Sequence, residues 1–94
     1  MSDDPVAIPI NGVLDLHAFR PEEVLDVVRE YIEACRGQGV CRIRIIHGKG
    51  MGVQRSAVRK LLEKHQFVAS FSDAPLEAGS WGATVADLVP PQEK

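Results

Sequence analysis

Asp15, His17 and His47 are the residues whose types and spacing could carry acid–base chemistry. Asp15 and His17 lie two apart in Leu14-Asp15-Leu16-His17, so on an extended strand both side chains point to one side. A carboxylate beside an imidazole fixes its tautomer and raises its basicity, as general acid–base catalysis needs. The same pair could hold a divalent cation. A strand-end Asp that caps a turn, with its His bonded to backbone, leaves the same triplet. His47 opens the run Gly48-Lys49-Gly50-Met51-Gly52. Alternate glycines let backbone N–H groups approach an anion, and Lys49 adds a point charge suited to phosphate. A helix starting behind the run would aim its positive end at the same space. The spacing is neither that of a P-loop nor that of a dinucleotide loop, and a plain glycine-rich turn is the alternative. Arg55 and Arg59 could follow a phosphate backbone. Trp81 could stack a base, or plug the end of the core. His65 sits at the basic end of a helix, where a cation complements the dipole. Cys35 and Cys41 read as small hydrophobes, one in a helix and one in a strand, and a single pair is no disulfide framework.

These groups need elements to hold them. Asn11-Gly12 is a turn signal, and Val13 to His17 reads as the first strand, with Asp15 and His17 at its end. Pro21 followed by Glu22 and Glu23 suits a helix's first turn. Val24, Val28, Tyr31, Ile32 and Cys35 then form one apolar stripe, which Gly37 and Gly39 end. Val40 to His47 is the second strand, with Cys41, Ile43 and Ile45 on one face and Arg42, Arg44 and Ile46 on the other. Val53 to His65 is the second helix, with Ala57, Val58, Leu61 and Leu62 as its stripe. Phe67 to Asp73 is the third strand, with Phe67, Ala69 and Phe71 opposed to Val68, Ser70 and Ser72. Trp81 to Val89 is the fourth. The order predicts an α/β fold, a two-layer βαβαββ sandwich with a four-stranded mixed sheet and two helices on one face. Helical crossovers run the first three strands in one direction, and the short loop before the fourth reverses it. The strand ends carrying Asp15 and His17, the His47 loop and Gly79-Ser80-Trp81-Gly82 then meet on one rim, beyond the carboxyl ends of the parallel strands.

A chain of 94 residues with 45% apolar residues suits one folded domain, expected over residues 10–89 with flexible tails at 1–9 and 90–94. No apolar run of membrane-spanning length exists, and the acidic first residues are unlike a signal peptide. A cytoplasmic, monomeric protein with no membrane partner is expected. The net charge of −2 hides an asymmetry. Residues 1–35 carry eight acids and two bases (−6), residues 36–66 eight bases and one acid (+7), and residues 67–94 four acids and one base (−3). The basic middle holds the glycine loop and the second helix. It is a footprint for an anionic partner, or an ordinary solvated face.

Leu14-Asp15-Leu16-His17, Ile45-Ile46-His47-Gly48-Lys49-Gly50-Met51-Gly52 and Gly79-Ser80-Trp81-Gly82-Ala83-Thr84 together resemble the Smr (small MutS-related) domain. That family's pattern is an LDLHG-type strand end, a HGxGxG-type loop and a GGxGAT-type segment, and here all three occur in order. Two positions depart: Ala18 stands for the glycine after LDLH, and Ser80 for the second glycine of the pair. The resemblance implies a βαβαββ sandwich, similar to the C-terminal domain of bacterial translation initiation factor three. It also implies nucleic-acid binding and, in several members, endonuclease activity on DNA or RNA, including messenger RNA on stalled ribosomes. With no MutS ATPase module expected in 94 residues, targeting would come from this domain or a partner.

The expected function is therefore nucleic-acid binding with endonuclease activity, by DNA nicking or RNA cleavage. Asp15, His17 and His47 are the catalytic candidates, and Gly48, Lys49, Gly50, Gly52, Arg55 and Trp81 the binding candidates. The residues identify no particular cofactor, and Mg²⁺ or Mn²⁺ could assist. The alternatives are a non-catalytic nucleic-acid or ribosome-binding module and a protein-interaction domain working through the acidic first helix.

Overall fold

A computed structural model of the chain describes residues 10–48, 53–78 and 82–90. The elements run β1 (Val13–Asp15), α1 (Val24–Gly37), β2 (Arg42–Ile46), α2 (Val53–Lys64), β3 (Val68–Asp73) and β4 (Ala83–Leu88). Single 3-10 turns cover Leu16–Ala18, Pro21–Glu23 and Leu76–Ala78. This is the α/β arrangement read from the sequence, a four-stranded mixed sheet with two helices. The strand order is β1-β2-β4-β3. β1 and β2 pair in parallel, while β4 pairs antiparallel with both β2 and β3. β3 thus runs in the direction of β1 and β2 without touching β2, because β4 lies between them.

Burial explains that order. The two central strands supply Ile43, Ile45, Ala86 and Leu88 to the core. The edges go to the three-residue β1 and to β3, whose exposed residues include Ser70 and Ser72. Short or polar edge strands resist pairing with another chain. All five residues of the α1 stripe are buried, as are Val58 and Leu62 of α2. Both helices pack into one cluster with Leu14, Ile43, Ile45 and Ala86, hence on one face of the sheet.

Three expectations are corrected. The first strand stops at Asp15, and the chain turns at Leu16–Ala18, so His17 is not a strand residue. The Asp15 side chain accepts a hydrogen bond from the His17 backbone N–H, which draws the chain out of the sheet. The second strand begins at Arg42, leaving Cys41 half-buried just before it; both cysteines are free. In β3 the register shifts between Val68 and Ser70, where Ala69 is the extra residue of a bulge. Strict alternation therefore fails: Val68 and Phe71, three apart, both pack against the core.

Tyr31 locks α1 to the start of β1. The Gly12 N–H donates to the Tyr31 hydroxyl at 3.0 Å, and that hydroxyl donates to the Val13 carbonyl at 3.1 Å. At the far end, Arg36 donates to the Val89 carbonyl and stacks over Phe67. No described helix is long and apolar enough to cross a membrane. The two tails expected from composition lie outside the described residues, apart from Pro90.

Candidate functional site

β1 and β2 run in parallel, so their carboxyl ends open at the same edge. There the Asp15 carboxylate caps the Leu16–Ala18 turn. It accepts from the His17 backbone N–H at 2.9 Å and from His17 Nδ1–H at 2.8 Å, both on Oδ1. The pairing expected from strand alternation is real, but the turn makes it. Both side chains are exposed, His17 at 66%. The His17 backbone N–H, then its ring, hold the Asp15 carboxyl below the ordinary carboxylate value. With Nδ1 donating to a carboxylate, Nε2 is the nitrogen left to work.

Nε2 faces Gly48. A Cβ placed on Gly48 would stand 3.1 Å from it, a tight contact that the imidazole would have to give way to. Gly48 also has φ of +82°, a backbone region that L side chains rarely adopt. Two reasons thus call for glycine here: the turn's shape and the imidazole against it.

His47 is the opposite kind of histidine. It is 6% exposed, and both its ring nitrogens are engaged. Nδ1 lies 3.0 Å from the Gly48 carbonyl, which can only accept, so Nδ1 carries the proton. Nε2 then accepts from the Thr84 hydroxyl at 2.8 Å. Burial pushes His47 below the ordinary histidine value, against the opposing pull of the Gly48 carbonyl. The backbone N–H groups of His47 and Gly48 both donate to the Gly82 carbonyl, at 3.1 and 2.8 Å. The segment before β4 therefore does reach this rim, at Gly82.

Asp73 ends β3 beside the same region. It accepts from Arg55 at 2.7 Å and Arg59 at 3.1 Å. The Arg55 hydrogen bond, with the charges of both arginines, holds its carboxyl below the ordinary value. Arg55, a binding candidate, is thus fixed by an acid rather than loose in solvent, and its buried Nε has no hydrogen-bond partner among the described residues. Lys49, Gly50, Gly52 and Trp81, the other binding candidates, lie outside the described residues. Among the described residues no cluster of three or more metal-ligating side chains forms. A groove of about 560 Å³ between α1 and α2, lined by Leu25, Ala57, Lys60, Leu61 and Lys64 among others, includes no residue of this rim.

Sequence reasoning passed over Asp73 and the role of Thr84. A carboxylate at a strand end, followed on the sheet by the threonine of the Gly82-Ala83-Thr84 segment opposite it, was the available signal. His65, read as a terminal charge, uses its Nδ1 to accept from the Phe67 N–H just past α2.

A family model described as the Smr domain matches residues 14–89. The endonuclease MutS2 of Lactococcus lactis subsp. cremoris (strain MG1363) is 39% identical over 83 residues, 88% of this chain and 11% of that protein. The endonuclease MutS2 of Thermus thermophilus is 39% identical over 77 residues, 82% of this chain and 10% of that protein. This chain therefore spans about a tenth of those relatives. The crystal structure of the Smr domain of Thermus thermophilus MutS2 superposes with a TM-score of 0.79 at 38% identity, covering 83% of this chain and 98% of that one. YdaL, a stand-alone small MutS-related protein from Escherichia coli, gives a TM-score of 0.79 at 28% identity, covering 86% and 66%. With the family pattern matched from Leu14 to Val89 and the same fold in both solved structures, the chain belongs to the Smr domain family.

Proposed function

We propose that this chain binds nucleic acid at the Asp15–His17–Gly48 rim and hydrolyses a phosphodiester there. One observation carries the reading: an exposed imidazole whose Nδ1 is held by a carboxylate and whose Nε2 is turned to the glycine turn. In that geometry His17 Nε2 takes a proton from the oxygen attacking phosphorus, and the Asp15 carboxylate stabilises the imidazolium that results. The P–O bond to the leaving oxygen breaks as the new one forms, and the leaving oxygen takes its proton from water. The match to relatives named endonuclease agrees with this chemistry. Arg55 and Arg59, steadied by Asp73, supply positive charge beside the rim, and Lys49 follows Gly48 directly in the sequence.

His47 has both nitrogens engaged, so it serves here as the residue that shapes the Gly48 turn. That leaves His17 as the one accessible imidazole among the described rim residues. A single free imidazole also fits a second reading, binding without turnover. The test incubates the protein with labelled RNA, single-stranded DNA and supercoiled plasmid, with and without Mg²⁺ or Mn²⁺. His17→Ala should lower cleavage by about 10²–10⁴-fold. Cleavage undiminished in both Asp15→Ala and His17→Ala contradicts the mechanism. Salt-sensitive binding with no cleavage of any substrate establishes the second reading.

A further inference from the structure

Thr84 is fully buried in β4, a central strand whose neighbouring inward residues are Ala86 and Leu88. Valine has the same shape and would be the ordinary choice at such a position. A buried hydroxyl costs free energy unless it is hydrogen-bonded, and so does a buried imidazole. These two groups satisfy each other across 37 residues of chain. Because the Gly48 carbonyl can only accept, the His47 proton sits on Nδ1, and the Thr84 hydroxyl is then the donor to Nε2. The Gly48 carbonyl therefore selects the tautomer, and the Thr84 hydroxyl completes the arrangement by donating to the ring's other nitrogen. The Gly48 N–H is held from the other side by the Gly82 carbonyl at 2.8 Å. A residue held at both its N–H and its C=O presents its Cα to His17 Nε2.

Resting on the proposed function, we infer that Thr84 is a positioning residue for the reaction: its hydroxyl, by holding Nε2 of the buried His47 ring whose Nδ1 bonds the Gly48 carbonyl, sets the Gly48 turn against which the His17 imidazole works. Thr84 itself touches no substrate. Threonine rather than serine fits the site, because its methyl fills the apolar strand position while its hydroxyl does the bonding.

The test uses the whole chain, ¹⁵N-labelled, and two substitutions. Long-range ¹H–¹⁵N spectra of the imidazoles report each tautomer directly. The wild-type His47 should carry its proton on Nδ1. Thr84→Val should leave the proton on Nδ1, shift the Nε2 resonance as that nitrogen loses its donor, and lower turnover of a labelled oligonucleotide by about 10–10²-fold, the scale of a misplaced catalytic group. Thr84→Ser, which keeps the hydroxyl, should retain both the wild-type Nε2 resonance and most of the turnover. A wild-type His47 protonated on Nε2 overturns the inference without any variant. So does a Thr84→Val protein whose turnover equals that of wild type, whatever its Nε2 resonance. If the wild-type protein binds the oligonucleotide without cleaving it, the catalytic reading fails, and the Nε2 resonance of Thr84→Val against wild type alone decides whether the hydroxyl holds the His47 ring.

Discussion

His17 and His47 are one residue type in two opposite settings, and the settings divide their labour. His17 is exposed and held at one nitrogen; His47 is buried and held at both. The second setting has a pH consequence. Burial places the folded His47 below the ordinary value of 6.5, so the unfolded chain binds the proton more readily than the folded one. His47 therefore leaves stability undiminished above about pH 6.5 and erodes it as pH falls below that value. Urea unfolding should give a lower midpoint at about pH 5.5 than at about pH 7.5, and His47→Gln should flatten this difference. Equal wild-type midpoints contradict it. The carboxylates of Asp15 and Asp73, lowered by their partners, act in a separate window, contributing above 3.8 and losing that contribution below it. The Asp15–His17 pair was legible in the sequence because two residues of separation keep side chains close in a strand or a turn. The division between His17 and His47 was not, because the partner that engages the second nitrogen of His47 is Thr84, 37 positions away.

At the scale of elements, periodicity was the reliable guide where one face is buried. The α1 stripe and the Ile43–Ile45 face of β2 follow it residue by residue. It failed where a local hydrogen bond or an extra residue competes: the Asp15 cap ends β1 two residues early, and the Ala69 bulge breaks the alternation of β3. Neither device alters apolar spacing strongly enough to show in the sequence. The placement of β4 between β2 and β3 is likewise a consequence of burial shared by the whole sheet. Tyr31 offers an element-level test. Its hydroxyl joins α1 to the chain entering β1, and Tyr31→Phe leaves the buried Gly12 N–H unpaired. The variant should lose about 1–3 kcal/mol of stability in urea unfolding. An unchanged midpoint would show that the clamp is unimportant.

For the whole molecule, the net charge of −2 is a poor guide to partners, and its distribution a better one. The excess of seven positive charges over residues 36–66 contains the glycine loop and α2, while Arg55 and Arg59 are anchored beside the rim by Asp73. Acidic residues of α1 lie on another element, and at physiological ionic strength charges beyond about 8 Å are largely screened. Binding to single-stranded oligonucleotide should weaken steeply with salt, and Lys49→Ala should reduce the slope of log affinity against log salt by about one phosphate contact. Affinity indifferent to salt would contradict a phosphate-binding rim. The central claim is that His17, oriented by Asp15, performs acid–base chemistry on a bound phosphodiester. The most direct measurement compares single-turnover cleavage of an end-labelled oligonucleotide by wild type, Asp15→Asn and His17→Ala, each saturated with substrate. The account predicts retained binding with rates lower by about 10²–10⁴-fold for His17→Ala and a marked loss for Asp15→Asn. Wild-type rates in both variants would contradict it.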